Sequence, residues 1–309
     1  MEVANVQIVE MDAKLSSFLF DALNFHKWKI LFTIILFSVA GVVYSLSLPN
    51  VYKSTALMAP SESEGSGGVA GMLGSLSGVA SLAGVNLPGG EEEPFHVEER
   101  LKSRDFIIPF IDRHDLKGML FSSQKWERDT NKIVFDSSIY NAATGQWTRE
   151  VKPGRSIVPS GEEAYKKFRD FYSVTYDRKR NIFKISFEFI SPSVSQDVLN
   201  DLIMEFNLFS KEKKLAQINK NIAFVQAQID KAEYVELKQV LYSVLEEQLK
   251  SLMMTQSKDD YTLSLIQAPF YPEEKSSPSR AFICILFFIL GGLLSYSYAL
   301  IMTYRKSQI

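Results

Sequence analysis

Apolar residues along this chain follow three rhythms, and each predicts a different kind of element. Near both ends the run is unbroken: residues 30–48 and 281–304 contain no charged side chain. At about 1.5 Å per residue these runs rise roughly 29 and 36 Å, enough to cross a hydrocarbon layer about 30 Å thick. Transmembrane helices are therefore predicted over residues 29–48 and 281–304. A signal peptide fits the first run poorly, because the residues before it are many and of mixed charge, although Ser45-Leu46-Ser47 has the small-x-small form of a cleavage site.

Between the two runs the spacing becomes that of an α/β unit. Residues 51–59 read as a strand through Val51, Tyr52, Thr55 and Leu57, and residues 98–111 as a helix with Leu101, Phe106 and Ile107 facing a core. Residues 132–140 predict another strand and 162–172 a helix capped near Ser160 or Gly161. Residues 174–176 and 182–190 alternate around a turn at 177–181, as a hairpin would.

After Pro192 no Gly or Pro occurs until Pro269. Val198, Leu202, Phe206, Phe209, Ile218, Ile222, Val225 and Ile229 recur every three or four residues, and so do Leu237, Leu241, Val244, Leu245, Leu249 and Leu252. One straight helix over 195–257 would measure about 95 Å. The residues left to return to the second span reach only about 76 Å when extended. A reversal near residues 231–235 removes the conflict and makes a helical hairpin. Residues 261–266 then return as a strand.

Charge orients the spans. Lys14, Lys27, Lys29, Arg305 and Lys306 flank their outer ends, against Lys53, Lys275 and Arg280 on the inner flanks. That bias predicts both termini in the cytoplasm and residues 49–280 outside it. The tail, residues 1–28, repeats Leu15, Phe18, Leu19, Ala22 and Leu23 at helical spacing, as a helix lying on the membrane would. Trp28 and Lys29 are the interfacial anchor at the start of the first span. The totals, 34 basic against 36 acidic residues, argue against nucleic acid as a partner. The single cysteine, Cys284, lies within the second span, so the central region forms no disulfide. Residues 65–90 hold nine glycines among Val, Leu and Ala, with Gly67/Gly71 and Gly74/Gly78 at the spacing of close-packed helices; a loop and a packing element both fit.

Catalytic chemistry finds no candidate. Gly65-x-Gly67-x-x-Ala70 has the letters of a dinucleotide fingerprint without a flanking strand and helix, and no P-loop occurs. Gly74-Ser75-Leu76-Ser77-Gly78 places leucine where a nucleophile elbow needs serine. His26, His96 and His114 are dispersed, and the acidic runs 91–93 and 259–260 read as solvated turns. No catalytic residue, cofactor or metal is expected.

The most informative stretch precedes the second span. Pro269, Pro272 and Pro278 lack amide donors and fix φ, predicting a stiff extended collar over 269–280 with Arg280 at the headgroup level. The pattern P-x-x-P-x(4)-S-P-x-R, built on Pro269, Pro272, Ser277, Pro278 and Arg280, is followed by Gly291-Gly292 in the span. It resembles the signature of Wzz-type chain-length determinants, the polysaccharide co-polymerases of bacterial surface-polysaccharide assembly. The His26-Lys27-Trp28-Lys29 lead-in, residues 101–106, and the strand 182–189 running into Ser191-Pro192 and a long helix resemble the same family.

The resemblance implies an α/β periplasmic base (49–192 and 258–268), a long α-helical hairpin arm (193–257) and the collar, flanked by two transmembrane helices, with a short tail at 305–309. It implies an inner-membrane, ring-like homo-oligomer without enzymatic activity, working with a Wzy-type polymerase on lipid-linked polysaccharide such as O-antigen lipopolysaccharide. It implies the kinase-free class, since the chain stops at Ile309 with no P-loop segment. An adaptor for polysaccharide export or envelope bridging is the competing reading.

Overall fold

The computed structural model describes residues 27–61, 94–257 and 262–307. The tail helix, His26, the glycine-rich residues 65–90 and the acidic runs 91–93 and 259–260 lie outside the described residues. In chain order the elements are α1 (Lys27–Ser47), β1 (Tyr52–Pro60), α2 (Pro94–Leu101), α3 (Arg104–Arg113), α4 (Leu116–Ser122), β2 (Ser123–Glu127), β3 (Lys132–Phe135), β4 (Tyr140–Asn141), β5 (Gln146–Trp147), α5 (Gly161–Arg169), β6 (Tyr172–Asp177), β7 (Ile182–Phe189), α6 (Pro192–Lys231), α7 (Val235–Ser257), β8 (Leu263–Gln267) and α8 (Arg280–Ser307). They fall into two units, Met1–Val51 with Lys275–Ile309, and Tyr52–Glu274.

The larger unit is built on an antiparallel sheet of order β6-β7-β1-β8. Period-two alternation in β7 puts Phe183, Ile185, Phe187 and Phe189 on one face, where all are buried, and leaves Lys184 exposed on the other. Register places Ala56 opposite Ile185 and Met58 opposite Phe183, extending the apolar face into β1. Packed in the same core are Phe106, Ile107 and Phe110 from α3, Phe168 from α5, and Leu199, Leu202 and Phe206 from α6. Phe106 meets Phe206 edge-on at 5.2 Å between centroids. Each buried phenylalanine contributes about 1.5–3 kcal/mol, so this cluster dominates the unit's stability.

Three expected elements differ in detail. The helix expected over 98–111 is two, because Ser103 takes an extended conformation (φ −70°, ψ 149°) and restarts the chain as the N-cap of α3. The strand expected over 132–140 is interrupted where Asp136 accepts from the Ser138 amide and Tyr140 N–H bonds back to the Asp136 carbonyl. The helix expected to reach residue 172 stops at Arg169, since Tyr172 already pairs with Phe187 in the sheet. Its start follows the sequence closely: Ser160 and Glu163 form a reciprocal capping box. Arg149 donates to Glu163 at 2.8 Å and holds that carboxyl below the usual glutamate range.

The apolar stripe of α6 serves two partners in turn. Ser195, Val198, Leu199, Leu202, Ile203, Phe206, Asn207 and Ser210 are buried first, and the apolar ones among them belong to the sheet core. Farther along, Val225 and Ile229 form a separate cluster with Leu241 and Val244 of α7. The reversal expected near 231–235 falls between the helices, which end at Lys231 and resume at Val235. Leu249, predicted to face inward, is 42 % exposed. The inward position belongs to Gln248, whose Oε1 accepts from Asn221 Nδ2 at 3.5 Å. Burial at Leu241 makes Leu241→Ala cost about 2–5 kcal/mol in chemical unfolding, with exposed Glu246→Ala nearly silent. In a Cys284→Ala background, cysteines at 225 and 241 are expected to crosslink on mild oxidation.

One buried polar side chain ties the return strand to α6. Asn207 Nδ2 donates to the Leu263 carbonyl at 2.9 Å, and its Oδ1 accepts from the amides of Leu263 at 2.9 Å and Thr262 at 3.3 Å. The amide group thus serves Leu263 as a neighbouring strand would, satisfying both its backbone groups in a buried position.

Candidate functional site: the collar and the two apolar helices

Prolines explain why β8 ends where it does. Beyond Gln267 the chain continues beside β1, but Pro269 and Pro272 have no N–H to add to the ladder. Carbonyl acceptors hold this half of the collar instead. Ser54 Oγ donates to the Phe270 carbonyl at 2.9 Å, and Gln196 Nε2 donates to the Pro269 carbonyl at 3.0 Å. Pro272 is buried.

The second half of the collar belongs to the other unit. Val51 N–H donates to Ser277 O at 2.9 Å, and Ser276 N–H donates to Val51 O at 2.8 Å, an isolated antiparallel bridge. The Ser277–Pro278 peptide is cis. Two residues on, α8 begins at Arg280, whose Nη2 donates to Asn50 Oδ1 at 3.1 Å. The guanidinium of Arg280, expected at the headgroup level, joins the residues that follow α1 to those that precede α8.

Within this unit α1 and α8 touch through glycines. A Cβ on Gly291 would lie 2.8 Å from Phe37 Cβ, and one on Gly41 would lie 2.7 Å from Phe287 Cβ. Real side chains do not approach that closely, so each helix meets an aromatic ring with a bare backbone position. Gly292 has no neighbour within 4 Å of such a Cβ. The sequence left open which helix the paired glycines receive; for Gly291 it is α1, and Gly292 faces away. Trp28 and Lys29 are exposed near the start of α1, Trp28 at 77 %.

Sequence reasoning missed Asn50, Ser54, Gln196 and Gly41. A glycine inside an apolar run was the available signal for Gly41; the other three are polar residues whose partners are distant in sequence. It also missed that His114 meets two carboxylates of α6, with Nε2 2.8 Å from Glu205 Oε1 and Nδ1 3.4 Å from Asp201 Oδ2. The carboxylates sit at opposite nitrogens, so the ring bridges them and does not converge with them on a common point. Among the described residues no group of three His, Cys, Asp or Glu side chains is arranged to hold a metal ion.

Two helices long and apolar enough to cross a membrane flank a sheet-and-helix unit in sequence, the pattern expected of a two-span chain. The chain is similar to the Wzz family over part of its length: the family model described as chain length determinant protein matches residues 17–114, about a third of the sequence. That stretch carries α1, β1, α2 and α3; the proline motif lies beyond it. A search of curated proteins finds no match. Among solved structures, a full-length bacterial polysaccharide co-polymerase is 14 % identical over 93 % of this chain and 96 % of its own, with a TM-score of 0.40. A fragment of WzzB, a polysaccharide co-polymerase from Salmonella Typhimurium, is 14 % identical over 74 % of this chain and 100 % of its own, with a TM-score of 0.31. Neither superposition is close enough to transfer an architecture.

Proposed function

We propose that this protein regulates the chain length of a bacterial surface polysaccharide, O-antigen-like lipopolysaccharide being the class expected. It acts as an oligomeric scaffold beside a Wzy-type polymerase that extends lipid-linked polysaccharide. Both termini are cytoplasmic, residues 49–280 form the periplasmic domain, and α1 and α8 cross the inner membrane. The carrying observation is the family match over residues 17–114. Two helices of spanning length and the collar tied at both halves support the same reading. In it the base and collar set the stance of the helical arm, residues 193–257, and the arms associate around a ring.

Deleting the gene and resolving the polysaccharide on a gel tests this directly. Loss of the modal length distribution with polymer still present is the expected result, restored by the wild-type gene. Loss of all surface polymer would favour an export adaptor, and an unchanged ladder would sink both readings.

A further inference from the structure

Where α1 and α8 touch at Gly41 and Gly291 they leave no gap, but toward Trp28 and Tyr298 they leave a groove of about 380 Å³. Its wall includes Phe32, Thr33, Ser295 and Ala299. The hydroxyls in this wall are already engaged: Thr33 Oγ donates to the Lys29 carbonyl at 2.9 Å and Ser295 Oγ to the Gly292 carbonyl at 3.0 Å. What they present to the groove is therefore hydrocarbon. The mouth differs. Lys29 lines it, Lys27 stands two residues away, and neither pairs with a carboxylate among the described residues. Trp28 and Tyr298 frame it with rings that are apolar in body and polar at the tip, the side chains suited to a water–lipid boundary.

An apolar slot opening onto ammonium groups that have no carboxylate partner among the described residues is complementary to an anionic amphiphile. We propose that this groove holds one anionic glycerophospholipid of the surrounding leaflet, with an acyl chain along Phe32 and Thr33 and the phosphate at Lys29. A zwitterionic lipid fits the slot equally but brings its own ammonium to the mouth, so charge selects between them. This inference rests on α1 and α8 being membrane spans; it does not depend on the reading of chain length.

The test is native mass spectrometry of the full-length protein released from vesicles of phosphatidylglycerol and phosphatidylcholine. The expected result is one phosphatidylglycerol retained per chain, in excess of its share of the vesicle. Lys29→Gln is expected to reduce that retention about fivefold. Thr33→Trp, which fills the slot and keeps both lysines, is expected to abolish it, while Lys275→Gln leaves it unchanged. Equal retention of the two lipids, or retention surviving both groove variants, overturns the proposal. If Thr33→Trp does not insert, the Lys29→Gln comparison alone decides. A photo-crosslinker at Phe32 identifies the occupant. Capture of residues 1–26, of a second copy or of a polyprenyl phosphate also overturns it. Recovery of the wild-type chain outside the membrane fraction would be a separate failure, that of the spans themselves.

Discussion

Gly291→Leu is expected to force α1 and α8 apart, whereas Gly292→Leu, one residue farther on, is expected to leave them paired. The side chain at 291 must enter space already held by Phe37, with the Ile34 backbone 3.5 Å from the new Cβ, so no rotamer relieves the clash. Overpacking of this kind costs about 1–3 kcal/mol. The side chain at 292 meets nothing within 4 Å. Tyr44 and Phe287 bring their rings to 6.0 Å, which gives a reporter pair: cysteines at 44 and 287, with Cys284 replaced by alanine, should crosslink in the Gly292→Leu background and poorly in Gly291→Leu. Equal yields in the two backgrounds would contradict the contact. In the proposed role, Gly291→Leu combined with Pro278→Ala broadens the polymer ladder, and Gly292→Leu does so only if a second protein uses that open face.

The second large effect is expected at Asn207. Replacement by leucine keeps the helix and roughly the volume but leaves the Leu263 N–H and C=O unpaired in a buried position. At about 1–3 kcal/mol for each orphaned group, the loss is about 2–6 kcal/mol. Urea unfolding of the full chain in mild detergent reads the total, and amide exchange at Leu263 reads its place. Leu208→Ala, at an exposed neighbour on the same helix, should change neither. Unaltered exchange at Leu263 in Asn207→Leu would show that β1 alone holds the return strand.

Periodicity carried most of the architecture because burial leaves a local trace. The stripe from Val198 to Ile229 and the alternation of Phe183, Ile185 and Phe187 each depend on residues near one another in sequence, whereas the reversal was expected from the reach of the chain. The prolines of the expected collar also carry a local signal, since proline acts through its own backbone. What stayed hidden depends on partners far away. Nothing local separates Asn207 from Asn200 or Asn219 on the same helix; only the arrival of β8 makes its amide a clamp. Gln196 and Ser54 acquire their role from carbonyls 73 and 216 residues on. Gly291 and Gly292 look equivalent as letters, and only the rotation of α8 about its axis assigns one to Phe37 and the other outward. Leu249 and Gln248 exchanged expected places because adjacent positions at a stripe's margin differ by a 100° turn, which apolar spacing alone resolves poorly.

The continuity of α6 has a mechanical consequence. One end of this helix is bedded in the aromatic core at Phe206, the other is bound to α7 at Ile229, and no glycine or proline interrupts the 22 residues between them. Those residues act as a stiff lever roughly 35 Å long. A tilt of about 5° at the fulcrum displaces the far end by about 3 Å. Small changes in how Phe206 seats against Phe106 are thereby amplified at Ile229, and a push at Ile229 returns to the sheet as torque.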